Sequence, residues 1–125
     1  SMYTNIPLWE GIQSVKLFIQ EKHTHLNSDL IADALHIVMR NNIFQFGNTY
    51  WTQLVGTAMG AAMAPPYASI FAASNEEQHI LTGKHPRLLL LRRFIDDGIG
   101  LWNPDTTLPT DAADDWSNLM NDLNS

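Results

Sequence analysis

Two adjacent carboxylates, Asp96 and Asp97, lie between apolar runs: Leu88 to Leu91 and Phe94-Ile95 precede them, and Ile99, Leu101 and Trp102 follow. Nothing else in the 125 residues constrains the fold as tightly. Neighbouring like charges repel and offer no packing, so the pair needs water or a cation. The flanking runs need an interior. Both demands are met if the chain reverses at the carboxylates. This predicts a buried strand over 88–94, a return strand over 99–102 and Asp96-Asp97-Gly98 at the tip. Asp and Gly are ordinary turn residues, so the tetrapeptide alone is more simply a solvated turn.

The rest of the chain supplies helices and a second hairpin. Leu8, Ile12, Val15 and Ile19 recur at helical spacing, predicting a helix over 8–22 that Trp9 and Phe18 widen and Gly11 weakens. Asn27 or Ser28 caps a second helix, with Asp29 in its first turn and Leu30, Ile31, Ala34, Leu35, Val38 and Met39 as its stripe. Short strands are expected over 43–46 and 50–53, joined at Gly47-Asn48. A helix over 67–81 follows Pro65-Pro66 and ends before Gly83. After a loop over 103–109, Thr110 or Asp111 caps a last helix running to about Leu123. The order is α+β with antiparallel hairpins packed against several helices.

Composition narrows the function classes. Hydrophobic residues make up 45%, enough for an ordinary core. With no cysteine there is neither a disulfide framework nor a thiolate metal site. No apolar run approaches the ~20 residues of a membrane helix. The net charge is −6, with seven Lys and Arg, which weighs against an autonomous nucleic-acid binder because phosphate contacts need cations. His23 and His25 have no third ligand nearby and read as a surface loop. The four tryptophans read as core or core-edge anchors. Of Arg92 and Arg93, one is expected to pair with a nearby carboxylate. Asp111, Asp114 and Asp115 read as a solvated helix start.

Three blocks carry a family resemblance. Phe94-Ile95-Asp96-Asp97 resembles the Y/F-x-D-D motif of reverse transcriptases. The run Gly56-Thr57-Ala58-Met59-Gly60-Ala61-Ala62-Met63-Ala64-Pro65-Pro66-Tyr67-Ala68-Ser69-Ile70-Phe71 is similar to the G-T-A-M-G-T-x-x-A-P-x-Y-A-N-I-F signature of Penelope-like retroelements. Tyr3-Thr4-Asn5-Ile6-Pro7 resembles their L-Y-T-N-I-P segment. The blocks stand in the family's order. Ala61 and Ala62 depart from the usual Thr and Lys, and Phe94 from the commoner tyrosine.

The resemblance implies a partial reverse-transcriptase palm spanning 1–125 as a single partial domain with part of the fingers, truncated at both ends. It implies Asp96 and Asp97 as catalytic, metal-binding carboxylates for Mg²⁺ (or Mn²⁺), with Asp96 close to the loop over 55–60. Tyr3, Met59 and Gly60 would contact the nucleotide: Tyr3 as the aromatic wall of the sugar site, Met59-Gly60 where other reverse transcriptases carry Gln-Gly. The family's first metal-binding aspartate falls just before Ser1. The parent activity would be RNA-directed addition of deoxynucleotides to a primer 3′ hydroxyl. Its partners would be an RNA or DNA template-primer and dNTP in the complete protein, its location intracellular and nuclear, with no membrane. The basic surfaces would lie outside this stretch. Two alternatives stay open: a decayed or co-opted palm serving as a binding or assembly module, and an unrelated acidic α+β interaction domain.

Overall fold

The computed structural model describes residues 5–58, 60–95, 97–105 and 107–124. These form four helices and two two-stranded antiparallel sheets, an α+β arrangement. The elements are α1 (Leu8–Lys22), α2 (Ser28–Arg40), β1 (Ile43–Phe46), β2 (Thr49–Thr52), α3 (Ala64–His79), β3 (Leu88–Phe94), β4 (Asp97–Trp102) and α4 (Ala112–Leu123). The chain divides into two compact units, Ser1–Ser74 and Asn75–Ser125. None of the described helices is long and apolar enough to cross a membrane.

The first unit has an apolar core. Ile12, Val15 and Ile19 of α1 are buried as their spacing predicts, and Ile6 joins them from the entry segment. Trp9 does not: it is 67% exposed and stands off the stripe. Gly11 is a close-approach position rather than a weak point. A Cβ there would lie 1.8 Å from the Tyr67 hydroxyl and 2.4 Å from its Cζ. The Tyr67 ring crosses α1 at this gap, and its hydroxyl donates to the Leu8 carbonyl at 3.3 Å.

The buried face of α2 is rotated from the expected one. Ala32 and Met39 are buried and Leu35 half-buried, while Leu30 and Val38 are exposed. Apolar residues occur on both sides of this helix, so periodicity alone does not select a face. Asn27 is its N-cap, accepting from the Leu30 N–H at 3.1 Å. Helix α3 starts three residues before the predicted point, with Pro65 and Pro66 in its first turn. First-turn N–H groups have no intrahelical acceptor, so the missing donors cost nothing there. Its first i→i−4 bond runs from the Tyr67 N–H to the Met63 carbonyl at 3.0 Å.

In the second unit Ile80 and Leu119 are buried together with two polar residues, His85 and Arg87. Arg87 is 1% exposed and gathers its surroundings. Its Nε donates to Asp115 at 2.6 Å, its Nη1 to the carbonyls of Asp105 at 2.5 Å and Asn103 at 3.4 Å, and its Nη2 to that of Thr110 at 2.6 Å. The loop and the start of α4 are thereby fastened to the base of β3. Asp111 caps α4, accepting from Ala113 and Asp114. Trp102, half-buried, and Trp116, exposed, meet edge to face at 5.3 Å; with Trp9 and Trp51 also exposed, the expectation of four core or core-edge tryptophans does not hold.

Candidate metal-binding hairpin and glycine loop

Strands β3 and β4 pair from Leu88↔Trp102 to Phe94↔Asp97, with an irregularity between Leu88 and Leu90. The return strand therefore starts two residues earlier than expected, taking in Asp97 and Gly98, and only residues 95 and 96 remain as the connection. Two-residue connections favour turns that begin with a positive φ, usually supplied by Asn or Gly. Here the position is Ile95, at φ 54°. A β-branched residue in the left-handed region costs of order 1–3 kcal/mol, and such conformations cluster at functional sites. Arg93 braces the turn. Its Nη1 donates to the Ile95 carbonyl at 3.3 Å, and its Nε pairs with Glu76 of α3. This matches the expectation that one of the two arginines pairs with a carboxylate. Arg92 is exposed, its Nη1 3.0 Å from the Leu91 carbonyl.

Strand β3 is not buried as expected. Leu89 and Phe94 are exposed, as are Ile99 and Leu101 of β4. Among the described residues the hairpin has no third strand, and its exposed side chains mark one open face. Arg92, Phe94, Asp97 and Ile99 share the open face by register, whereas Arg93 and Gly98 lie on the opposite one.

The sequence-predicted residues fall as follows. Asp97 is exposed at the start of β4. Asp96, Tyr3 and Met59 lie outside the described residues, and so does the expected approach of Asp96 to the 55–60 loop. Gly60 is described: it is exposed at φ 92°, with nothing within 4 Å of where a Cβ would stand. Gly56 has φ 79°. Between these glycines Thr57 is buried, and its Oγ1 has no partner among the described residues. The loop belongs to the first unit and the hairpin to the second. Among the described residues no group of three or more His, Cys, Asp or Glu is placed to hold a metal ion.

Beside the loop is an open cleft of about 400 Å³, lined by Asn42, Ile43, Phe44, Gln53, Ala58 and Ala61. The Asn42 amide donates to the Met39 carbonyl at 3.3 Å and the Gln53 amide to the Val55 carbonyl at 2.9 Å. Carbonyls only accept, so the nitrogen of each amide is the donor in these bonds, with one of its two N–H groups used. The cleft is lined by neutral residues.

Three residues here escaped the sequence reading. Glu76 braces Arg93 from a helix twelve residues before β3 begins, and no local pattern marks it. Arg87 carries no periodicity signal. Thr57 was visible only as part of a small-residue run. Comparison with protein-family models, with curated proteins and with solved structures finds no match for this chain.

Proposed function

We propose that this chain is part of a reverse-transcriptase palm of the Penelope-like type, in which Asp96 and Asp97 hold divalent metal for template-directed DNA synthesis. The observation that carries the reading is the hairpin itself: β3 and β4 pair as far as Phe94↔Asp97, and the strained Ile95 after Phe94 is braced by Arg93. A solvated turn has no need of a β-branched residue in the left-handed region where Asn or Gly would sit without strain. The donor set suits a hard ion, since carboxylate oxygens are the only ionised acceptors on the hairpin. Mg²⁺ bound there supplies charge neutralisation at the reacting phosphate and activation of the attacking hydroxyl. The protein's own part is positional: the paired strands hold Asp97, and Arg93 fixes the turn. Gly60 leaves its backbone open to a nucleotide. Template, primer and dNTP are partners of the whole polymerase.

A second reading, a palm without chemistry, is favoured by one observation. Residues 41–75, which include the glycine loop, carry no charged side chain, so no cation is supplied there to a phosphate. Mn²⁺ relaxation separates the two. The first reading expects weak binding, with a dissociation constant of about 1 mM as loose oxygen sites show. That binding disappears in Asp96→Asn and tightens when the family's upstream D-x-x segment is joined ahead of Ser1. Binding indifferent to Asp96→Asn sinks the metal site. Primer extension by the 125-residue chain alone is expected to stay at background, because two carboxylates are one ligand short and the −6 charge repels template.

A further inference from the structure

We propose that Glu76 is a positioning residue of the metal site, acting through Arg93 to hold the turn that carries Asp96 and Asp97. This role rests on the metal reading of the β3–β4 hairpin and extends it to a carboxylate on α3.

Consecutive side chains on a regular strand point to opposite faces, so adjacent carboxylates share an ion only where the backbone beside them leaves extended geometry. It leaves that geometry at Ile95, φ 54°, directly ahead of the pair. A β-branched residue stays in the left-handed region only when its surroundings hold it there. The holding contact comes from Arg93, whose Nη1 donates to the Ile95 carbonyl at 3.3 Å.

One bond from a long side chain does not define a turn. The second contact of the same guanidinium does. Its Nε donates to the Glu76 carboxylate, and a planar group gripped at Nε has the direction of its Nη1 set, because all its N–H bonds lie in one rigid fork. The Arg93 side chain is 19% exposed and that of Glu76 22%, so water competes weakly for either. Glu76 is itself anchored. Its carbonyl accepts from the Ile80 N–H at 3.0 Å and the Leu81 N–H at 2.8 Å, and Ile80 is buried in the second unit. Contacts thus run from that interior through the Glu76 backbone and carboxylate to Arg93 and Ile95. Groups that orient metal ligands in this way govern affinity without touching the ion. Arg92 is the contrast: it is exposed, and its Nη1 lies 3.0 Å from the Leu91 carbonyl, a contact that does not reach the turn.

Two readouts on the whole chain test this role. The HN–Hα coupling of Ile95, measured without metal, follows its φ, and Mn²⁺ relaxation follows the site. Glu76→Gln should move the coupling towards its extended value and weaken Mn²⁺ binding about tenfold, the low end for partners that orient metal ligands. Arg93→Lys should do the same with the charge unchanged, because an ammonium has no fork to span Glu76 and the Ile95 carbonyl. Glu77→Gln removes the same charge from the next, exposed residue of α3 and should change neither readout, and nor should Arg92→Lys. Far-UV circular dichroism checks each fold. Should Glu76→Gln fail to fold, Glu76→Asp keeps the charge but shortens the reach, and it should weaken binding likewise. Mn²⁺ binding that is lost in Asp96→Asn yet unmoved by Glu76→Gln overturns this role alone. So does an Ile95 coupling indifferent to Glu76→Gln, or equal weakening by Glu77→Gln, which would assign the effect to charge. An unaltered chain with no Asp96-dependent binding overturns the metal reading and this role together.

Discussion

The two units are stabilised by different chemistry. In the first, Ile6, Ile12, Val15, Ile19, Met39 and Tyr67 are buried against one another, and the interior needs few polar contacts to hold it. In the second, Arg87 and His85 are as buried as Ile80 and Leu119, and the structure closes through ion pairs and backbone carbonyls. The first unit has three helical segments to clasp. The second has an open two-stranded hairpin and one full helix, too little apolar surface for an oily core, so a guanidinium with five donors takes the central place. The consequence is a difference in what breaks each unit: volume in the first, a lost partner in the second.

The largest effect should come from Arg87→Met. The change keeps apolar bulk but leaves the carbonyls of Asp105 and Thr110 without their donor, together with the Asp115 carboxylate. An orphaned buried carbonyl costs about 1–3 kcal/mol. Hydrogen exchange followed by mass spectrometry should show α4 and the loop over 103–111 losing protection, while α1 and α2 keep theirs. Protection unchanged in α4 would mean that the arginine is a passenger.

Gly11→Ala is the matching injury to the first unit. One methyl group must displace the buried Tyr67 ring from the gap it occupies. Overpacking of this kind costs about 3 kcal/mol. Urea unfolding should report the loss, and Tyr67→Phe in the same chain should recover only part of it, because the ring carbon at 2.4 Å remains after the hydroxyl has gone.

The same contrast decides what could be read in advance. Helices α1, α2, α3 and α4, the Gly47-Asn48 turn and the Asp97 hairpin follow from periodicity, caps and turn residues, all local signals. The exposed face of α2 did not, because Leu30, Ile37 and Val38 are as apolar as the face that is buried. The exposure of β3 was equally invisible: Leu88 to Leu91 reads as an interior run whether or not a neighbouring strand covers it. Arg87 is the clearest gap. A lone arginine before a strand carries no pattern, and its importance lies in three carbonyls more than fifteen residues away. At the candidate site the carboxylates and Gly60 were legible as residue types. The strain at Ile95 and its brace from Glu76 were not, since both depend on tertiary geometry.

Extremes of pH should separate the units by sign. In the second unit, hydrogen bonds from Thr110 and then Arg87 hold the Asp115 carboxyl below its ordinary value, and Lys84 followed by His85 does so for Asp122. A depressed carboxylate adds stability that is complete above the unfolded value near 4 and is lost as pH falls through the folded one. In the first unit, burial and then the charge of Glu10 push Tyr67 up to about 12. That raised value adds stability which is full below pH 10 and lost as pH climbs towards 12. Hydrogen exchange should therefore show the second unit opening first below about pH 4 and the first unit opening first above about pH 10. Opening in the reverse order, or both units together at each extreme, would break the distinction.

The smallest effect tests whether ion pairs matter wherever they occur. Lys16 of α1 meets Asp29 of α2 at 2.6 Å, about as close as Arg87 meets Asp115. Distance alone would rank the two pairs together. Exposure does not: the Asp29 side chain is 75% exposed, and the Arg87 side chain 1%. In water the lysine gives up hydration and rotamer freedom for an attraction that solvent and salt screen, so Lys16→Met should cost no more than about 0.5 kcal/mol. Raising salt to ~1 M should erase even that, since the screening length falls to about 3 Å. Urea midpoints of the two chains at low and high salt measure both statements. A cost above about 1 kcal/mol that persists in salt would mean that α1 and α2 are held by charge as well as by their apolar faces, and that the two units are built more alike than their interiors suggest.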